Sequence, residues 1–173
     1  MTARKSTLGL GQATLALSQH DPKWAYFFEI EASLIAAELV GVRYQIDHIG
    51  STAVPGLAAK PILDIAMRST QQTQVASGLK KLGYIDRGIR SGRLFIKLYD
   101  GDVRTHNLHL YQPDDRECKE QIAFRDALRA DPKLCDQYAE LKQDLVDRLG
   151  DAGRSQYANG KTGFVNSVLS QLQ

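Results

Sequence analysis

A glycine–serine pair at Gly50–Ser51 is followed, with twelve residues between, by an isolated aspartate, Asp64, set between Leu63 and Ile65. Residues of these types can handle phosphate. Glycine lets backbone N–H groups approach an anion with no β-carbon in the way, and the hydroxyls of Ser51 and Thr52 can donate to its oxygens. A carboxylate on a following strand could hold a divalent cation over the same phosphates. The surrounding stretch, HIGSTAVPGLAAKPILDIAM from His48 to Met67, supplies further candidates. His48 stands two residues before Gly50 and could orient the turn or touch the ligand. Lys60, kept extended by Pro61, could reach a phosphate as a point charge. A plain turn and a strand-edge acid are the ordinary explanations of the same residues, and spacing alone leaves both open.

Such groups need a frame. Asp21–Pro22 reads as a helix start, a carboxylate cap followed by proline, with Trp24, Phe27, Phe28, Leu34, Ile35 and Leu39 as the apolar stripe and Gly41 as the stop. RYQIDHI (43–49) and PILDIAM (61–67) read as strands on either side of the loop, and 73–82 as a short helix ended by Gly83. RLFIKLY and VRTHNLHLY flank Asp100–Gly101–Asp102, the chemistry of a tight hairpin. Alternation puts Thr105, Asn107, His109 and Tyr111 on one face of its second strand and Leu108 and Leu110 on the other. On the first strand Leu94, Ile96 and Leu98 oppose Arg93, Phe95, Lys97 and Tyr99. One face is expected to be core, and Arg93 and Lys97 are assigned to the polar face as phosphate-binding candidates. Helices follow over 118–130, from Asp131–Pro132 to Gly150, and from about Ser155 onward. The order predicts an α+β fold, a mixed β-sheet with flanking helices and a C-terminal helical segment. It is expected to form one domain over 1–173, with its core at about 21–111 and the C-terminal helices at about 116–171.

Composition narrows the classes. The 173 residues, 43% apolar and 24% charged, suffice for one core. No apolar run approaches the ~18–20 residues of a membrane span. The N-terminal stretch has no continuous apolar segment of the kind a signal peptide needs. Cys118 and Cys135 form no C-x-x-C pair, so both are expected to be reduced thiols in a cytoplasmic protein. A net charge of +2 does not by itself imply nucleic-acid binding. Lys80 to Arg104 holds 7 basic and 3 acidic residues, compatible with a solvated face or with an anion site. Familiar phosphate loops fail: Gly160–Thr162 reads GKT, but Ser155 stands where a P-loop has glycine, and Gly9–Gly11 lacks the third glycine of a dinucleotide fingerprint. No H-E-x-x-H or G-x-S-x-G occurs.

Taken together, Asp21–Pro22 with Trp24, the HIGSTAVPGLAAKPILDI stretch, HNLHLY, LRADP, the Tyr138–Leu141–Lys142 spacing and Tyr157–Lys161–Phe164 resemble the GrpB-like family of the DNA polymerase β-like nucleotidyltransferase superfamily. The resemblance covers nearly the whole chain. It implies a turn that holds a nucleoside triphosphate, two acids spaced i, i+2 on a strand, a third acid from a later strand, and two magnesium ions between them. Gly50–Ser51 and Asp64 match that pattern. The second acid position is Ala66, and the later strand offers His109 instead of a carboxylate. The resemblance leaves room for one Mg2+ or Mn2+ on Asp64 and His109. Alternatively, His109 is a general base, since histidine ordinarily titrates near neutrality. Lys161 resembles the family's lysine and is expected at the triphosphate tail. The expected partners are a nucleoside triphosphate and a small-molecule acceptor, without membrane attachment; without an extended basic, aromatic-rich surface, polymeric nucleic acid is disfavoured. The implied activity is nucleotidyl transfer. A nucleotide-binding module that has lost chemistry at Ala66, and a metal-dependent phosphoester hydrolase, stand as alternatives.

Overall fold

The Asp21 carboxylate accepts the amide of Lys23 at 2.9 Å, and α1 runs from there over Lys23–Glu38. The computed structural model describes residues 8–172; the N-terminal stretch read for a signal peptide lies partly outside them. The strands are β1 (Leu10–Gly11), β2 (Gln45–Ile49), β3 (Leu63–Arg68), β4 (Ile85–Arg90), β5 (Gly92–Tyr99) and β6 (Val103–Tyr111). The further helices are α2 (Gln72–Lys81), α3 (Arg116–Ala130), α4 (Pro132–Leu149), α5 (Arg154–Gly160) and α6 (Thr162–Gln171). The sheet order is β2-β3-β6-β5-β4, with β1 added beside the start of β6. β3 and β6 run parallel and every other pairing is antiparallel, so the sheet is mixed.

Strand β3 explains the layering. A strand buried on both faces reads as a nearly continuous apolar run, and LDIAM is one. Leu63, Ile65 and Met67 join Phe95, Leu108 and Leu110 in the main core under α1 and α2, with Trp24, Ile35, Val75 and Leu79. The alternate residues face the C-terminal helices: Ala66 packs with Ile49, Tyr111 and Cys118. Helices α3 and α4 add Leu128 and Tyr138, which cover Val54 and Leu57 of the loop between β2 and β3. Helices thus lie on both sides of the sheet, and the loop-and-acid stretch lies between the sheet and α3–α6.

Several expectations change. On α1, Glu31 rather than Leu34 points inward; Leu34 is 47% exposed while Glu31 is 4% exposed. Glu31 is buried because it is paired, accepting from Lys97 at 2.6 Å and from the Tyr84 hydroxyl at 2.9 Å. β1 and β4 have no counterpart among the expected elements. β4 carries a register shift between Asp86 and Ile89, with Gly88 at φ 75°, which breaks the alternation that signals a strand. The last helix is two, α5 and α6, interrupted at Lys161.

The largest correction concerns β5. Phe95 pairs with Leu108 and Lys97 with His106, so Arg93, Phe95 and Lys97 share the α1–α2 face. Leu94 and Ile96 sit opposite His109 and Asn107 instead. Alternation within a strand fixes which residues go together but not which set faces which side; cross-strand register decides that.

Candidate functional site

The pairing of β2 with β3 places Ile49 opposite Asp64, so the chain leaving β2 turns directly over the acid. Gly50 makes the turn at φ 70°, ψ −173°, and a β-carbon there would lie 2.6 Å from Asp64 Oδ2. Only glycine allows that contact. Ser51–Ala53 then form a single 3₁₀ turn, and Ser51 meets the hydroxyl of Tyr138 from α4. Burial pushes the Tyr138 phenol well up, so it remains a neutral hydrogen-bonding group.

The turn is held from behind. His48 is 7% exposed, stacks on Phe28 at 4.9 Å, and places Nε2 3.0 Å from Thr52 Oγ1. The Thr52 hydroxyl spends its proton on the Ile62 carbonyl at 3.3 Å, so His48 donates. Burial, then the charges of Arg129 and Arg125, lowers His48 to about 4. His48 and Thr52 therefore brace the loop on the core side. Arg125 donates to the His48 carbonyl at 2.9 Å and Arg129 to the Ala53 carbonyl at 2.6 Å, clamping both ends of the turn to α3.

Before the turn opens a cleft of ≈ 490 Å³ lined by Gly50, Ser51, Asp64, His109, Tyr138 and Lys161, with Phe124, Leu128, Val165 and Leu169 as its apolar wall and Glu117, Glu120, Gln121 and Asn166 further along. Asp64 Oδ1 accepts from Asn107 Nδ2 at 2.8 Å. His109 Nδ1 lies 2.6 Å from the Ser91 carbonyl, and a carbonyl only accepts; Nδ1 carries the proton and Nε2 keeps its lone pair. Ser91 Oγ meets the Tyr111 hydroxyl at 2.7 Å and Gln121 Nε2 at 2.8 Å, a network that fixes the imidazole's orientation. Lys60 Nζ and Lys161 Nζ lie 5.1 Å and 4.5 Å from the Tyr157 ring centroid. Burial, then the nearby charge of Lys60, lowers Lys161 to about 8, against the pull of Asp64. Burial lowers Lys60 as well.

Of the residues expected from the sequence, the fold brings Gly50, Ser51, Asp64, His109 and Lys161 to one cleft and sets Lys60 within reach of Asp64's charge. His48 and Thr52 lie behind the turn. Arg93 and Lys97 are on the far side of the sheet, paired with Asp86 at 2.5 Å and Glu31 at 2.6 Å. Asn107, Gln121, Arg125, Arg129 and Tyr157 carry no assignment from the sequence. Asn107 shares a strand face with His109, a signal that was present; the arginines on α3 could be found only once its docking was known.

The donor set can be tested against a metal centre. Strand register puts Asn107, not His109, opposite Asp64, and Ala66 opposite both Asp47 and His109. Ala66 is fully buried in an apolar cluster. Asp47, the nearest substitute for its carboxylate, is bound to Arg68 at 2.8 Å with Arg125 at 3.5 Å. Among the described residues no group of three or more His, Cys, Asp or Glu is placed to hold a metal ion. Magnesium wants near-octahedral oxygen. These residues do not fit a two-metal centre.

Comparisons with known proteins agree with this fold. The family model described as GrpB protein matches residues 14–171. A UPF0157 protein of Halalkalibacterium halodurans is 34% identical over 163 residues, covering 92% of this chain and 83% of that protein. The crystal structure of the conserved protein GrpB from Enterococcus faecalis superposes with a TM-score of 0.76 at 29% identity, covering 90% of this chain and 96% of that one. Cid1 in complex with its short product ApU superposes with a TM-score of 0.51 at 10% identity, over 76% of this chain and 41% of that one, which is a likeness of fold. The architecture is nucleotidyltransferase-like. Among the described residues no helix is long and apolar enough to cross a membrane.

Proposed function

The chain belongs to the GrpB family, and from that premise we propose that its cleft binds a nucleoside triphosphate and transfers the nucleotidyl group to a small-molecule acceptor. One observation carries this reading: the β2–β3 register presses the Gly50–Ser51 turn onto the Asp64 carboxylate at the mouth of a cleft that also holds Lys161 and His109. The triphosphate lies along the turn and Lys161, and the base packs against the apolar wall at Phe124 and Leu128. An acceptor hydroxyl or amine attacks the α-phosphorus, the bond from that phosphorus to the bridging oxygen breaks, and pyrophosphate leaves with the electron pair. The acceptor's proton passes to His109 Nε2, which the Ser91 carbonyl keeps as a lone pair. The chain's own contribution is positioning and charge.

The burial of Ala66 in an apolar cluster favours a second reading, a nucleotide-binding module without turnover. The two separate cleanly. Titration with each nucleoside triphosphate should give binding in both, weakened at least about tenfold by Ser51→Ala with Lys161→Ala combined. Pyrophosphate release that requires an added acceptor belongs to the transferase alone. Absence of nucleotide binding would sink both.

A further inference from the structure

Resting on the nucleotide reading above, we propose that this cleft takes its polyphosphate as the metal-free anion, with Lys60 and Lys161 supplying the positive charge at the turn. The acids that would recruit a divalent ion are replaced or engaged: Ala66 is apolar and buried, Asp47 is neutralised by Arg68, and one oxygen of Asp64 is taken by Asn107. Positive charge is concentrated in their place. Lys60 and Lys161 converge on Tyr157. Lys60 also feels Arg104 and Arg154, and the one carboxylate felt by Lys60, Lys161 and Arg104 alike is Asp64. Around Asp64 these cations outnumber the one carboxylate they share, while Glu117 and Glu120 line the cleft further along. A divalent cation entering that field is repelled, whereas a polyphosphate is drawn in.

Two further details point the same way. Arg104, whose buried Nε has no hydrogen-bond partner, adds its charge near Lys60. The ring of Tyr157 is 2% exposed and fixed, so the two ammonium groups are held at a set position by cation–π contact instead of sweeping through solvent. Burial first, and then neighbouring cations (Lys60 for Lys161, Arg154 and Arg104 for Lys60), lowers the proton affinity of both lysines, which is the cost of holding their charge here. A bound phosphate relieves it. The charge pattern is therefore that of a site completed by its anion.

The test is calorimetric titration of the intact protein with inorganic tripolyphosphate and with each of ATP, CTP, GTP and UTP, in chelator and in excess magnesium. The expected result is binding in chelator at least as tight as in magnesium. Lys60→Met and Lys161→Met should each weaken it by roughly tenfold or more, and Lys161→Arg should restore it to within about threefold. Urea unfolding of each variant separates lost charge from lost fold. Binding that appears only with magnesium and vanishes in chelator overturns the metal-free site while leaving the nucleotide reading intact. Tripolyphosphate binding without any nucleoside triphosphate binding does the reverse. Chelator-insensitive binding unchanged in folded lysine variants overturns the assignment of the charge to these two residues, and no binding of any probe overturns both readings.

Discussion

Gly50 and Asp64 form a contact that a β-carbon at position 50 would abolish. With φ 70° and ψ −173°, Gly50 occupies backbone space essentially closed to residues with a β-carbon, and the space such a carbon needs is filled by the Asp64 carboxylate. Gly50→Ala must either strain the turn or push Asp64 away from it. The expected loss is about 1–3 kcal/mol in urea unfolding. Nucleotide affinity should fall further than in Ser51→Ala, because both the turn and the acid move. An alanine variant with the wild-type unfolding midpoint would show that the turn tolerates a β-carbon and that the contact is incidental. Beside this pair, His109 is defined less by its own ring than by what holds it. The Ser91 carbonyl fixes its proton, and Ser91 is in turn held by Tyr111 and Gln121.

At the scale of elements, α4 links the cleft to the loop beneath it. Asp131 accepts from the amides of Lys133 at 2.9 Å and Leu134 at 3.2 Å, and Pro132 occupies the first helical position. Within its first three turns α4 delivers Tyr138 to Ser51 and the fully buried Lys142 to the carbonyl of Ala58. Asp131→Ala removes both capping bonds and should cost about 1 kcal/mol by urea or thermal unfolding, with nucleotide binding retained once the variant is folded. An unchanged midpoint would mean that packing alone sets where α4 begins. Caps of this kind were legible in the sequence, as were the Asp100–Gly101 hairpin and the β2–loop–β3 unit, because each is written in adjacent residues. What was not legible depended on distant partners. The side to which Arg93 and Lys97 turn is decided by the Phe95–Leu108 register, and the inward position of Glu31 by Lys97 and Tyr84. The break at Lys161 has no proline, but Asn159–Gly160 is a helix-stop pair that the reading of a single helix from about Ser155 passed over. The cleft residues Gly50, Ser51, Asp64 and His109 were legible, whereas the arginine clamp from α3 was not.

For the whole molecule, the sheet separates two kinds of chemistry. Lys161 lines the cleft with Asp64 on the α3–α6 side, and two histidines, His48 and His106, are buried on the α1–α2 side. His48 is lowered to about 4 by burial and then by Arg129 and Arg125. His106 is also lowered to about 4, although Glu31 lies 3.7 Å away; burial outweighs that carboxylate, whose charge Lys97 already engages at 2.6 Å. In the unfolded chain both titrate at the ordinary histidine value near 6.5. Between about pH 6.5 and 4 the unfolded state binds more protons than the native state, so stability is full above that window and is lost as the pH falls through it. Each histidine should account for on the order of 2–3 kcal/mol by pH 4. Carboxylates titrate in the same range, so the comparison that isolates the histidines is wild type against His48→Gln, His106→Gln and the double variant, by urea unfolding from pH 7 to pH 4. Glutamine retains a side-chain donor for Thr52 and takes up no proton. The expected result is a double variant less stable than wild type at pH 7 but with a distinctly shallower acid slope, so that the curves converge. Parallel curves would mean that neither imidazole is held neutral by the fold. His48 donates to Thr52 from Nε2 whether neutral or charged. Protonation therefore acts by setting a buried charge near Arg125 and Arg129, which hold the Gly50–Ser51 turn, and should loosen nucleotide binding before the molecule unfolds. That loss should be absent in His48→Gln, which ties the acid response of the core to the cleft on the other side of the sheet.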